Sequence, residues 1–274
     1  MNSPGNLAKP KVLVTAAFII MVAINSMANL LPINGVSTGG ISDSFPNLFA
    51  PAGSTFAIWG LIYLLLGAYT VYQWGLTGPQ SSLSTHSMQN VRAYFIFSSL
   101  ANAAWIFAWH YYVIWLSVLL MLVILISLIY INLEISRSRM TTMDRILVRL
   151  PFSIYFGWIT VATIANLTVL LVDWDWNGFG LSQPVWTVIA IGLGLIIGMT
   201  TAYRQKDVAY ALVIMWAYAG ILNKHLAPDG FAGGYPSVIT AVVISLLVIV
   251  LTIAAIFWQG KREEHFDILE REET

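Results

Sequence analysis

Three aromatic residues near the start of one apolar segment have the spacing of a single helical face. Phe56, Trp59 and Tyr63 stand at positions i, i+3 and i+7, which lie on the same side of an α-helix. Their rings can stack against a flat apolar molecule, and the indole N–H and phenol O–H can donate hydrogen bonds to it. Pro51 and Gly53 break the chain just before this segment. The pattern therefore predicts one wall of a small-molecule binding site.

Two further segments carry polar and aromatic residues at helical spacing. Asn102 and Trp105 stand at i and i+3, while Trp158, Ala162 and Asn166 stand at i, i+4 and i+8. A small residue between an aromatic ring and an amide leaves room for a flat molecule to approach the backbone. An unpaired amide is costly in an apolar environment, so both asparagines need either a protein partner or a ligand.

Simpler roles exist for the same residue types. Asparagine in a membrane helix commonly joins two helices by a hydrogen bond worth about 0.6–2 kcal/mol. Tryptophans near helix ends commonly form an interfacial belt. The belt accounts for Trp74, Trp115, Trp174, Trp176, Trp186 and Trp258. Trp59, Trp105 and Trp158 lie deeper in their segments, which favours a binding site over plain packing for these three.

The composition is that of a polytopic membrane protein. Of the 274 residues, 58% are hydrophobic and 9% are charged, whereas about a quarter of a soluble domain is charged. The formal net charge is zero, so nothing suggests a nucleic-acid partner. The absence of cysteine excludes disulfides and thiolate chemistry, and the four histidines are scattered. We therefore expect no metal site, no required cofactor and no catalytic residue.

A helix that crosses a bilayer needs about 20 mostly apolar residues. The sequence predicts an all-α fold with about eight such helices. The predicted ranges are 12–32, 54–76, 92–110, 112–134, 148–172, 185–203, 207–223 and 236–258. The seventh is shorter than the others and lies between Asp207 and Lys224.

The basic residues predict how the helices are oriented. With a cytoplasmic amino terminus, all 13 lysines and arginines except Lys224 fall on the cytoplasmic side, as the positive-inside rule requires. An even number of helices then places both termini in the cytoplasm. We expect a cytoplasmic amino-terminal tail over residues 1–11 and a charged cytoplasmic tail over residues 261–274. The bias fits a plasma membrane.

The longest loop on the opposite side of the membrane covers residues 33–53. A loop of this length is either a lid over a site or an ordinary loop that rests on helix ends. At a rise of about 1.5 Å per residue, Trp59, Trp105 and Asn166 lie at similar depths beneath it, and Trp158 lies nearer the middle of the membrane. We therefore expect the binding site directly under this loop.

These motifs resemble those of the TspO/MBR family, the tryptophan-rich sensory proteins and translocator proteins. The matching residues are Pro51, Trp59 and Tyr63 in the second helix, Asn102 and Trp105 in the third, and Trp158, Ala162 and Asn166 in the fifth. The chain departs from the family pattern at Ala50-Pro51, which replaces a Pro-Pro pair, and at Phe56, which stands one position from the usual aromatic residue. The resemblance covers residues 12–172, and residues 173–260 add three helices to it.

The resemblance implies a five-helix bundle over residues 12–172 with a pocket under the first loop. It also implies a receptor or carrier for flat apolar ligands such as porphyrins, other tetrapyrroles or sterols, with a role in stress sensing. A porphyrin or haem-like molecule would be its bound ligand, and a homodimer its assembly. The residues that would line or support the pocket are Pro51, Phe56, Trp59, Tyr63, Asn102, Trp105, Trp158, Ala162 and Asn166.

Two other functions stay open on the sequence. Eight helices could form a secondary transporter of a small hydrophobic or amphipathic substrate, although no Asp, Glu, Lys or Arg stands well inside a predicted span. Proton coupling would then depend on His110, Glu134 or Asp173. For an enzyme, we find no nucleophile–base pair and no phosphate-binding loop. Breakdown of a bound porphyrin rests on the family resemblance alone.

Overall fold

The protein is all-helical wherever its structure, a computed structural model, describes the chain, namely residues 4–31, 33–76 and 81–272. Eight long helices and two short ones, α2 and α6, follow one another in the chain. Their bounds are α1 Pro4–Leu30, α2 Thr38–Asp43, α3 Ile58–Tyr72, α4 Thr85–His110, α5 Ile114–Ser136, α6 Thr142–Asp144, α7 Leu150–Asp173, α8 Gln183–Gln205, α9 Val208–Leu226 and α10 Pro236–Glu272. A π-helical turn, Arg145–Arg149, joins α6 to α7.

The expected fold class is confirmed, because seven helices of the described chain are long and apolar enough to cross a membrane. The remaining predicted span, 207–223, forms α9. This helix has 19 residues, and its last turn carries Asn223, Lys224 and His225, whose polarity sets it apart from the other seven. The chain is an integral membrane protein.

Several helices extend beyond the predicted spans. Helix α1 begins at Pro4 rather than at residue 12, α4 begins at Thr85 rather than at 92, and α10 continues to Glu272 rather than ending at 258. The extensions are polar or charged, so hydropathy marks only the apolar part of each helix. The charged residues 261–272 therefore continue the last helix.

Helix α9 runs from one end of the bundle to the other, parallel to α7. At its start, Asp207 accepts a hydrogen bond from Ser153 in the first turns of α7. At its end, His225 Nε2 lies 2.9 Å from the carbonyl oxygen of Leu48, in the loop that was predicted to cover the site. Because these contacts join opposite ends of the bundle, α9 crosses it completely even though its composition is less apolar.

The segment 33–53 has secondary structure of its own and is called the roof below. Ser37 caps α2, because its side chain accepts a hydrogen bond of 3.2 Å from the backbone N–H of Gly40. A 3-10 turn, Gly53–Ala57, then leads directly into α3. The roof is thus a folded element that packs on the helix ends, with Ile41, Leu48 and Phe49 buried beneath it.

The opposite end of the bundle is held together around Asp144, a fully buried carboxylate. It accepts hydrogen bonds from the Tyr72 hydroxyl at 3.1 Å, from the backbone N–H of Ser82 at 3.1 Å and from the Thr141 hydroxyl at 2.8 Å. The hydroxyls of Ser81 and Ser82 and the backbone N–H of Thr141 add three more donors. These bonds tie the end of α3 and the segment before α4 to α6, which fixes the helices that carry the site.

Candidate ligand-binding site

Seven of the nine predicted site residues line one cavity beneath the roof. The cavity has a volume of about 50 Å³. The seven residues are Pro51, Phe56, Trp59, Trp105, Trp158, Ala162 and Asn166. Residues outside the predicted site set complete the lining: Thr38, Ser42, Ala50, Trp109, Met121, Val161, Ala165 and Val169. Typical ligand sites enclose roughly 300–1,000 Å³, so the cavity in this conformation admits only very small molecules.

A wider groove of about 550 Å³ adjoins this cavity between α1, α3 and the roof. Tyr63 lines the groove, together with Asn25 and Ser26 of α1. Four residues line both spaces: Thr38, Phe56, Trp59 and Trp105. The three aromatic side chains of this set are called the partition below, because a movement of their rings would join the cavity to the groove.

The aromatic rings of the site pack against one another across two helices. Trp59 stacks on Tyr63, with ring centroids 5.5 Å apart, and meets Trp158 edge-on at 6.2 Å. Phe56 also meets Trp158 edge-on, at 5.7 Å. Stacked and edge-to-face pairs each add about 0.5–1.5 kcal/mol beyond burial. The face predicted on the second long helix therefore forms a continuous aromatic wall with α7.

Asn166 joins three helices through its side-chain amide. Its Oδ1 accepts a hydrogen bond of 3.0 Å from Trp105 Nε1 on α4, and its Nδ2 donates one of 2.9 Å to the Ser117 hydroxyl on α5. The indole N–H of Trp105 is thereby used within the protein. Asn166 consequently has the helix-joining role usual in membranes and also borders the cavity, and Trp105 presents its ring to the site.

Asn102 supports the site from outside the cavity. The side chain is fully buried and accepts a hydrogen bond of 2.7 Å from Asn25 Nδ2 on α1. It donates one of 3.0 Å to the Tyr155 hydroxyl on α7. Asn102 lines neither the cavity nor the groove, so its contribution is to hold α1, α4 and α7 in register.

Two buried donors at the site have no hydrogen-bond partner within the described chain. They are Trp158 Nε1, on a residue that lines the cavity, and Tyr63 Oη, on a residue that lines the groove. A buried donor without a partner costs about 1–3 kcal/mol, and a ligand with an acceptor atom would recover that cost. Among the described residues, no group of three or more His, Cys, Asp or Glu could hold a metal ion.

The end of α4 holds the first part of the roof. His110 is fully buried, and its Nδ1 lies 2.9 Å from the carbonyl oxygen of Ile33. Because a carbonyl only accepts, Nδ1 carries a proton, and the Thr38 hydroxyl lies 3.1 Å from Nε2. Trp109 Nε1 donates to the Thr38 carbonyl at 3.1 Å. From the sequence, His110 was considered only for proton coupling, and no contact of His110 or Trp109 with the roof was predicted.

Comparison with known proteins agrees with this geometry. A family model described as TSPO-like protein matches residues 11–256. The match therefore extends past residue 172 into the range of the three added helices. The division into a five-helix bundle over 12–172 and three further helices over 173–260 stays a prediction. No curated protein and no solved structure matches the chain. With nearly all of its residues inside the family match, the chain belongs to the TSPO-like protein family.

Proposed function

We propose that the protein is a membrane receptor or carrier for flat, largely apolar ligands such as porphyrins, other tetrapyrroles or sterols. The observation that carries the proposal is the unpartnered Trp158 Nε1 in a wall that is otherwise aromatic. Small-molecule sites are mostly apolar, with a few polar groups that orient the ligand. Aromatic faces together with two free donors, Trp158 and Tyr63, have this character, and a carboxylate, carbonyl or hydroxyl oxygen would supply the acceptor.

A porphyrin, another tetrapyrrole or a sterol needs more room than the cavity offers. The groove has about 550 Å³ against about 50 Å³ for the cavity, and the partition of Phe56, Trp59 and Trp105 lies between them. In the proposed bound state the ligand lies in the groove and displaces Trp59 or Phe56. It then reaches both free donors at once, Tyr63 Oη from the groove and Trp158 Nε1 through the opened partition.

A fluorescence titration with protoporphyrin IX tests this proposal. The variant Trp158→Phe removes the free N–H and keeps an aromatic ring. Trp115→Phe is the matched control, because Trp115 is 53% exposed on α5 and lines neither space. We expect saturable quenching in the wild type and in the control, with affinity about two- to tenfold weaker for Trp158→Phe. Equal, non-saturating quenching in all three proteins would mean partition into detergent and would overturn the proposal.

The orientation that we propose places both termini in the cytoplasm of a cell whose plasma membrane holds the protein. It is supported by the basic residues Lys11, Arg92 and Arg149, whose contacts all lie at the end of the bundle opposite the roof. The exposed roof residue Ser44 provides the test, because the chain has no cysteine. An impermeant maleimide should label Ser44→Cys from outside intact cells. Labelling only after lysis would reverse the orientation.

A further inference from the structure

Helix α9 holds the junction between the roof and α3 by hydrogen bonds on both sides of it. The backbone N–H of Ala52 donates to the carbonyl oxygen of Gly220 at 3.1 Å. Three residues further along the chain, the carbonyl oxygen of Thr55 accepts a hydrogen bond of 3.0 Å from Trp216 Nε1. Ala52 follows the cavity residue Pro51, and Thr55 precedes Phe56. The bonds from α9 therefore hold the short stretch between two residues that line the cavity.

Gly220 allows the two segments to approach this closely. A Cβ atom at position 220 would lie 2.1 Å from Thr55 Oγ1 and 2.7 Å from Thr55 Cγ2. Thr55 is itself buried, so neither side has space to yield without moving the backbone. A small residue at a helix contact is the usual means by which backbones come close in membrane proteins. Position 220 is therefore a contact point at which the size of the side chain sets the place of Thr55.

The last turn of α9 reaches further along the roof. Lys224 Nζ lies 2.8 Å from Asp43 Oδ1 at the end of α2, and His225 Nε2 donates to the Leu48 carbonyl at 2.9 Å. The ion pair contributes little, because the Asp43 side chain is 60% exposed. His225 is fully buried, so its bond persists without competition from water. Together with His110 of α4, α9 fixes the roof from two sides.

We propose that α9 is a positioning element of the ligand site, through Gly220 and Trp216, and that it thereby gives the added helices a function in ligand binding. Neither residue lines the cavity. Each acts through Thr55, which fixes where Phe56 and Trp59 stand relative to Trp158 on α7. This proposal rests on the ligand site proposed above. The positioning role can also be tested without ligand, because loosening the junction between the roof and α3 would expose the cavity to reagents.

The first test measures access to the cavity and needs no ligand. Ala50 is buried in the cavity lining, and the chain has no native cysteine, so Ala50→Cys gives a single thiol whose maleimide labelling rate reports opening. Adding Gly220→Ala should raise that rate about five- to a hundredfold, the range that corresponds to overpacking a tight contact. Gly192→Ala is the matched control, because a Cβ there meets nothing within 4 Å, and it should leave the rate unchanged.

The second test uses Trp216→Phe, which removes one hydrogen bond. It serves as the milder variant in case Gly220→Ala does not fold. We expect faster labelling of Ala50→Cys and weaker protoporphyrin IX binding, each by about two- to tenfold, with Trp115→Phe as the control. Unchanged labelling in a folded Trp216→Phe or Gly220→Ala protein would overturn the positioning role, whether or not the porphyrin binds. Faster labelling in a protein whose wild type shows no saturable binding would retain the positioning role and refute the proposed ligand.

Discussion

Replacing Asn166 by leucine removes the amide that joins three helices and keeps a branched side chain of similar shape. In the wild type, this amide accepts from Trp105 Nε1 and donates to Ser117, at 3.0 and 2.9 Å. After the substitution, Ser117 retains its bond of 2.7 Å to the carbonyl oxygen of Ile114. The indole N–H of Trp105 has no such second partner in the hydrogen bonds of this site, so it is the group that loses most.

The expected loss of stability follows from the one hydrogen-bond donor that is left without a partner. One buried N–H left without a partner costs about 1–3 kcal/mol, so we expect Asn166→Leu to lower the free energy of unfolding by about that amount. Trp105→Phe removes the donor beforehand, and in that background the loss should be smaller. Hydrogen bonds between membrane helices have measured couplings of about 0.6–1.7 kcal/mol, which we expect as the interaction energy of the Asn166–Trp105 pair.

A double-mutant cycle with reversible unfolding in detergent measures this coupling. It needs the wild type, Asn166→Leu, Trp105→Phe and the double variant, because only the cycle separates the pair from the cost of each substitution alone. Strict additivity of the two losses would refute the helix-joining role of Asn166. A loss of porphyrin affinity without any loss of stability would instead indicate that the amide acts on the ligand directly.

Three further predictions concern the two ends of the bundle and the partition. Asp144→Ala should destabilise the protein by about 2–5 kcal/mol, since six donors on four residues lose their buried acceptor, and an unchanged melting temperature would contradict this. His110→Phe removes two roof bonds, so Ala50→Cys should label about two- to tenfold faster; equal rates would show that the roof does not depend on α4. Trp59→Ala opens the partition, and stopped-flow quenching should show faster association and dissociation of protoporphyrin IX, whereas unchanged rates would exclude the partition as the barrier.

The aromatic wall could be predicted from the sequence because the spacing of residues within one helix is a local property. Phe56, Trp59 and Tyr63 share a face by the geometry of the α-helix, and the same periodicity placed Trp158, Ala162 and Asn166 in line on α7. Depth along each predicted span then brought these faces to one level. Both inferences need only the rise and the period of a helix.

The partners of the polar groups could not be predicted in this way. Which residue faces Asn166 depends on how α5 packs on α7, and Ser117 has no sequence signal that distinguishes it from other serines. The same limit applies to Gly220, whose importance comes from a segment far away in the chain. The predicted ends of α4 and α10 were also wrong. Thr85 and the residues after 258 are helical, but they are polar, and hydropathy marks only apolar residues.

The roof is completed by residues that are distant in the chain. Its first part depends on His110 and its last part on His225, so the roof is synthesised well before the helix that finishes it. Contacts of such long sequence separation form late in folding. A nascent chain that has inserted only as far as α7 therefore already has the walls of the site, whereas closure of the site waits for α9. Truncations that end after α7 would, by the same reasoning, yield a bundle whose roof is held by α4 alone.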